Sequence, residues 1–267
     1  MKGRVLIVAG SDSGGGAGIQ ADLKAVTALD GYAATAITAL TAQNTLGVFD
    51  VLSVEPSFIA QQMRLVLEDI GADCIKTGML HNSAVIETVV NMLEMTAPRI
   101  PLVADPVMVA KGGESLLDPQ AKETLIRRLL PRATLITPNI PEAEALTGRI
   151  IATPKAMAEA AKQLLEFGPA AVLIKGGHLL GEQLIDLLVS PDHVERFEHP
   201  RLTTQHTHGT GCTLASAIAV GLAQGLDLSD AVRRALAYVY EAIRSAPHLG
   251  KGHGPLNHSH TVRPFEF

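Results

Sequence analysis

One stretch near the C-terminal end carries the densest chemistry in the chain: His206-Thr207-His208-Gly209-Thr210-Gly211-Cys212-Thr213. The residues that follow it, Leu214 to Gly225, place Leu214, Ile218 and Leu222 on one face of a helix that Gly225 stops. A glycine-rich turn running straight into a helix leaves backbone N–H groups pointing outward, with the positive end of the helix dipole behind them. That geometry takes phosphate and other anions. Cys212 falls in the first turn, where the same field favours thiolate over thiol. Gly209, Thr210, Gly211 and Cys212 therefore read as an anion cradle with a reactive group inside it. They read equally as a small-residue cap over a buried cysteine.

Other residues of chemical interest come where apolar runs end. Asp105 and Glu142 follow two separate runs, and carboxylates so placed hold Mg²⁺ directly or through water, a hard cation that takes few protein oxygens. Ordinary helix capping accounts for them as well. Lys175 ends another run, and an ammonium there calls for an anion such as a nucleotide phosphate unless its head reaches solvent. Gln43-Asn44-Thr45 offers neutral amides to a polar heterocycle, or is simply a turn. Gly16-Ala17-Gly18-Ile19-Gln20-Ala21 fits a relaxed dinucleotide fingerprint, but residues 33–42 contain no Asp or Glu to hold a ribose. There is no GxxxxGK(S/T). His206 and His208 are a poor metal pair, and His253, His258 and His260 read as surface residues in a Gly/Pro-rich tail.

The elements that must position these residues alternate. Arg4–Ala9 reads as a strand and Gly10–Gly18 as a loop, followed by a helix to about Leu29. Tyr32–Leu40 reads as a second strand, and Thr45–Val54 as an exposed strand or flap. Pro56 opens a helix, Asp73–Thr77 is a short strand, and Asn82 caps a helix to about Met95. Pro101–Ala104 and Ala133–Thr137 are strands. Asp118-Pro119 starts a helix between them that runs to about Leu130. A short helix from Pro138-Asn139 ends at Gly148, and Thr153-Pro154 starts another, to Gly168. Ala170–Ile174 is a strand, a hairpin turns at Pro191-Asp192, and Ser229 caps a final helix. Alternation of this kind implies one α/β domain spanning residues 1–267, with a mostly parallel sheet covered on both faces. Ligands in such folds sit beyond the C-terminal strand ends, which is where Gly10, Thr77-Gly78-Met79, Asp105-Pro106, Asn139 and Lys175 fall.

Composition narrows the function classes. A net charge of −5, no Trp and 3% aromatic residues argue against nucleic-acid binding. No apolar run reaches membrane length, and the Val5–Ala9 run is too short for a secretion signal. The two cysteines, Cys74 and Cys212, fit a reducing, cytoplasmic compartment.

Taken together, several segments resemble the ribokinase-like kinases, in their hydroxymethylpyrimidine/phosphomethylpyrimidine kinase branch. They are Ala9–Asp22, Ala42-Gln-Asn-Thr45, Lys76-Thr-Gly-Met79, Ala104-Asp-Pro-Val-Met108, Thr137–Glu144, Lys175-Gly-Gly-His178, His208–Thr213 and Gly252–His258. They cover nearly the whole chain in the family's order. The resemblance implies a ribokinase-like fold with a small edge flap, and ATP-dependent phosphorylation in thiamine biosynthesis. The substrates would be 4-amino-5-hydroxymethyl-2-methylpyrimidine and then its monophosphate. It implies that Cys212 is the base, where the sugar kinases of the fold carry Asp. It implies Gln43 and Met79 against the pyrimidine, with Asp22 and Val107 nearby. Lys175 and Asn139 would serve the nucleotide and Asp105 and Glu142 the Mg²⁺ region. The Gly10–Gly18 loop would hold the phosphate of the second acceptor, and a homodimer would form, with Thr45–Val54 as interface or lid. Pyridoxal kinase activity is the alternative within the fold. A non-catalytic ligand-binding regulator and an oxidoreductase are the alternatives outside it.

Overall fold

The computed structural model describes residues 1–109, 113 and 116–263. Among them, nine strands form one sheet in the order β3-β2-β1-β4-β5-β6-β7-β8-β9. The strands are β1 Arg4–Asp12, β2 Tyr32–Asn44, β3 Gly47–Ser53, β4 Cys74–Thr77, β5 Leu102–Ala104, β6 Leu135–Ile136, β7 Val172–Ile174, β8 Gln183–Ser190 and β9 His193–Pro200. From β2 through β7 every neighbouring pair is parallel. The antiparallel β3 closes one edge and the β8–β9 hairpin the other.

The period of two along each central strand sorts side chains between two cores. Val5, Ile7 and Ala9 face helices α1 (Gly18–Ala28), α7 (Thr210–Ala223) and α8 (Leu228–Arg244). Leu6 and Val8 face α2 (Pro56–Asp69), α3 (Ser83–Thr96), α5 (Ile140–Thr147) and α6 (Pro154–Leu165). Because both faces are covered, these strands are apolar throughout rather than alternating. Cys74 falls in the first core and Ile75 in the second, so Lys76 is directed, with Cys74, at α1 and α7.

Helix starts follow local chemistry with two departures. Asn82 accepts from the Val85 N–H, as its position predicts. Asn139 and Glu142 form a reciprocal capping box at α5, and Gly148 ends that helix in the left-handed region. Ser229, however, does not cap α8. Asp227 accepts the Asp230 N–H instead, and the Ser229 hydroxyl is turned to Glu195. Asp118 accepts from Gln120 N within a turn, so α4 starts only at Ala121. It then widens into a π turn over Leu125–Leu129 and tightens into a 3₁₀ turn over Leu130–Arg132, where Pro131 has no N–H to offer. β1 runs three residues past Ala9, so Gly10 lies in a buried strand rather than a loop.

The C-terminal tail folds back on the site. His208 N donates to Gly254 O, His253 N to Thr45 O, and Asn257 N to Ala242 O. His258 is not a surface residue. Its ring stands 2.9 Å from Thr213 Oγ1, and burial pushes it down to about 4.

Candidate active site

The parallel strands end along one rim, and the start of α7 lies across it. Gly209 caps α7 at φ 84°, and a Cβ there would stand 1.8 Å from the Gly16 carbonyl oxygen. Only glycine lets these two loops touch. One residue on, a Cβ on Gly211 would lie 3.2 Å from Lys175 Nζ and 3.5 Å from Asp105 Oδ2. The helix start therefore sits directly over the ends of β5 and β7. Thr210 is partly spent, since its hydroxyl donates 2.8 Å to Thr207 O and its N–H reaches the same oxygen at 3.4 Å. The first-turn amides of Gly211 and Cys212 have no intrahelical acceptor and face the rim.

Beneath the cradle, Lys175 Nζ donates 3.0 Å to Asp105 Oδ1, which also accepts from Thr137 Oγ1 at 2.9 Å. The anion that Lys175 meets inside the protein is thus a carboxylate. Burial would raise Asp105, but Lys175 and Lys76 outweigh it and hold the carboxyl below its usual range. Glu142 is pushed up to about 7, first by burial and then by the Asp105 charge, against the pull of Lys175. A folded-state value above the unfolded one means that the native protein holds an extra proton between about pH 4.5 and 7. Stability therefore falls as pH rises through that window. Glu142→Gln keeps an acceptor for the Asn139 N–H that Glu142 now takes at 2.8 Å. It should flatten that fall in urea melts across the same range; an unchanged pH slope would contradict the assignment.

Cys212 is half-buried, and the Gly18 N–H is directed at its sulfur. The expected preference for thiolate is opposed by burial. Burial pushes the thiol up to about 12, and Lys76, the strongest opposing influence, offsets this only in part. Desolvation of the anion exceeds the help of one helix start.

Lys76 is fully buried, and its Nζ lies 2.9 and 2.8 Å from the two oxygens of Asp22. Ser216, one helical turn below Cys212, donates 2.7 Å to the same carboxylate. Burial would lower Lys76, yet Asp22, Cys212 and Asp105 keep it above its ordinary value. Asp22 is therefore not a substrate contact: it has no exposed surface and acts from below as the partner of Lys76. Sequence reading missed this pair. Its signal was a lysine inside the apolar β4 and an aspartate on the apolar face of α1, three residues from both Ile19 and Ala25.

The N-terminal glycine loop is not an open phosphate site either. Asp12, buried at the end of β1, accepts from Gly14 N at 2.7 Å, Gly16 N at 3.1 Å and Ala17 N at 2.8 Å. The loop's amides already hold an anion, supplied by the chain itself. Burial opposes the ionised form, but His208 and the Ala17 and Gly14 amides keep Asp12 below the usual carboxylate range. His208 Nε2 stands 2.9 Å from Asp12 Oδ2 and 3.3 Å from Gln43 Nε2. His206 instead lies edge-on against His248.

Gln43 is half-buried on the same rim, its backbone N–H accepted by Ser13 Oγ at 2.9 Å. Met79 is buried, with its sulfur 3.0 Å from where a Cβ on Gly10 would be and its carbonyl accepting from Thr38 Oγ1. Val107 is half-buried past Asp105. Asn139 is half-buried beside Lys175, with its Oδ1 committed to the α5 cap. The rim thus brings together Cys212, Gly211, Lys175, Asp105, Glu142, Gln43 and Val107, while Asp22 and Gly10 support it from beneath.

A glycine-rich helix start beside a buried lysine at the mouth of a ribokinase-like sheet has counterparts among known proteins. The family model for phosphomethylpyrimidine kinase matches residues 12–257. The thiamine biosynthesis bifunctional protein ThiED of Geobacter sulfurreducens is 52% identical over 257 residues. That match takes 96% of this chain but 52% of the relative, so the chain spans about half its length. The hydroxymethylpyrimidine/phosphomethylpyrimidine kinase of Rhizobium meliloti is 47% identical over 258 residues, 96% of each chain. The structure of the pyridoxal kinase from Staphylococcus aureus in complex with AMP-PCP and pyridoxal superposes with a TM-score of 0.89 at 33% identity, covering 98% of this chain and 96% of that one. With the match running through glycine loop, cradle and tail alike, this chain belongs to the phosphomethylpyrimidine kinase family.

Proposed function

We propose that this kinase transfers the γ-phosphoryl group of ATP to the hydroxymethyl group of 4-amino-5-hydroxymethyl-2-methylpyrimidine, and then a second phosphoryl group to the monophosphate, in thiamine biosynthesis. The observation that carries this reading is the meeting of Gly211 and Cys212 with Lys175 and Asp105 over the strand ends. The amides of Gly211 and Cys212 receive the transferring oxygens where charge accumulates. Lys175 and Asn139 serve the polyphosphate. Gln43, Met79 and Val107 line the pyrimidine. Cys212 takes the hydroxyl proton as its oxygen bonds to phosphorus and the bond to the departing ADP oxygen breaks. Asp105 and Glu142 fit a Mg²⁺ region, since Glu142 is pushed up to about 7 partly by the Asp105 charge, a crowding that a cation relieves. When bound, that ion would neutralise phosphate charge.

For the second acceptor, the self-filled glycine loop withdraws the site expected for its phosphate. The cradle and Lys175 are left as the positive region that meets it. The exposed Leu46, Phe49 and Leu52 of the β2–β3 edge support a homodimer through that face, which sedimentation of wild type against Phe49→Asp would test. Two unpaired cysteines support a cytoplasmic setting. No helix among the described residues is long and apolar enough to cross a membrane.

The deciding experiment is a coupled ADP-release assay with three acceptors: the hydroxymethylpyrimidine, its monophosphate and pyridoxal. Turnover with both pyrimidines, each exceeding pyridoxal in kcat/KM, is the expected result. Pyridoxal as the best acceptor would overturn it and favour the second reading, which the likeness to the Staphylococcus aureus enzyme supports.

A further inference from the structure

Between His208 and Thr41 the Gln43 side-chain amide is held at both ends, and one sense of the amide pairs every group there. Asp12 is an ionised carboxylate, so it can only accept. His208 Nε2, 2.9 Å from Asp12 Oδ2, must therefore carry its proton and donate. The same N–H faces the Gln43 amide at 3.3 Å, which requires an acceptor there, not an NH₂ group. At the other end, Thr41 Oγ1 lies 2.9 Å from Ser11 O and 3.1 Å from the second amide atom of Gln43. A hydroxyl has one proton, and a carbonyl oxygen only accepts. With that proton on Ser11 O, Thr41 needs a donor from Gln43. A single half-turn of the amide, carbonyl toward His208 and NH₂ toward Thr41, satisfies both ends at once; the opposite sense sets NH₂ against the His208 N–H and leaves the one Thr41 proton shared between Ser11 O and the Gln43 carbonyl.

We infer that His208, held by Asp12, and Thr41 set the sense of the Gln43 amide, and that this fixed sense makes the site selective for an acceptor edge offering hydrogen-bond donor and acceptor in one order. The inference rests on the reading that Gln43 touches the acceptor. An amide pinned this way keeps one proton and one carbonyl lone pair for the ligand. An aminopyrimidine presents an amino donor next to a ring-nitrogen acceptor and can match both. A free amide rotor would serve either order and discriminate little. In a pinned one, the wrong order leaves polar groups facing like groups in a half-buried site, which is the costly case. His208 and Thr41 are positioning residues in this scheme. Since His208 is also the residue before Gly209, the acceptor contact and the phosphoryl cradle hang from one imidazole.

The test compares KM and kcat for the hydroxymethylpyrimidine and for pyridoxal in Thr41→Val, Thr41→Ser, His208→Asn and Gln43→Ala. Thr41→Val is expected to raise KM for the pyrimidine about tenfold, with a far smaller change in kcat, and to erode the preference over pyridoxal by a similar factor. Thr41→Ser, which keeps the hydroxyl, should recover the wild-type ratio. His208→Asn should erode the preference as Thr41→Val does. If Gln43→Ala raises KM while folded Thr41→Val and His208→Asn leave the ratio unchanged, the orienting role is wrong and the Gln43 contact stands. If Gln43→Ala leaves KM unchanged, the contact itself fails and the orienting role with it. Should the His208 variant not fold, the wild type still decides the matter. In its NMR spectrum the Gln43 NH₂ protons should show Overhauser contacts to the Thr41 methyl and not to the His208 ring, and the reverse pattern would overturn the inference.

Discussion

Cys212→Ala is expected to lower kcat at least about tenfold, toward the 10²- to 10⁴-fold typical of a lost general base, with nucleotide affinity nearly unchanged. The amides of Gly211 and Cys212 and the Lys175–Asp105 pair remain in that variant, and phosphoryl transfer depends mostly on positioning and charge. Activity should therefore fall without vanishing. The pH dependence carries the sharper signature. Burial pushes the thiol up to about 12, so at neutral pH only a small fraction is thiolate. If that fraction is the working form, wild-type kcat/KM climbs steadily with pH across the alkaline range. In Cys212→Asp the carboxylate is already ionised there, and the climb should disappear while activity stays above that of Cys212→Ala. Near-wild-type turnover in Cys212→Ala would falsify the base role. A flat wild-type kcat/KM profile would contradict the thiolate as the proton acceptor.

Lys76→Met is expected to cost about 3–5 kcal/mol of folding stability, the usual result of stranding one member of a buried ion pair. The pair has no exposed surface at either end, so Asp22 would be left with only the Ser216 hydroxyl for company. Urea unfolding of the single variant against Lys76→Met combined with Asp22→Leu measures this. Replacing both charges by apolar groups of similar size costs far less than removing one. If the double variant were no more stable than Lys76→Met, the loss would come from packing and not from a stranded charge. Of the pair, Lys76 draws the Cys212 thiol down and Asp22 pushes it up, so the double variant, which removes both influences, is expected to keep more activity than Lys76→Met.

Much of this molecule is legible in its residues because the cues are local. The strand–helix alternation, the Asn82 cap, the stop at Gly148 and the helix start at Thr210 each follow from a few neighbouring side chains. The rim follows too, since polar residues such as Asp105 and Lys175 come where apolar runs give out. Ser229 and Asp118 show the limit: each is a good capping residue by type, but Glu195 draws one away and a turn uses the other. Strand alternation could have flagged Lys76, whereas nothing local identifies its partner, which lies 54 positions away.

The sequence by itself determined the class of fold, the family, and the glycine-led helix start that carries Cys212 in its first turn. These depend on propensity, on glycine where backbone approaches backbone, and on the order of motifs along the chain. The tertiary structure alone decided which charges face one another, and that reassigned the roles. Asp22 became the buried counter-charge of Lys76. The N-terminal glycine loop turned out to be filled by Asp12, and His258 of the tail to be buried against Thr213. Burial of Cys212 outweighed the help of the helix start and pushed its thiol up to about 12. The physical reason is that protonation and hydrogen bonding depend on burial and on partners distant in sequence, and those are settled only when β1, β4, α1 and α7 pack together.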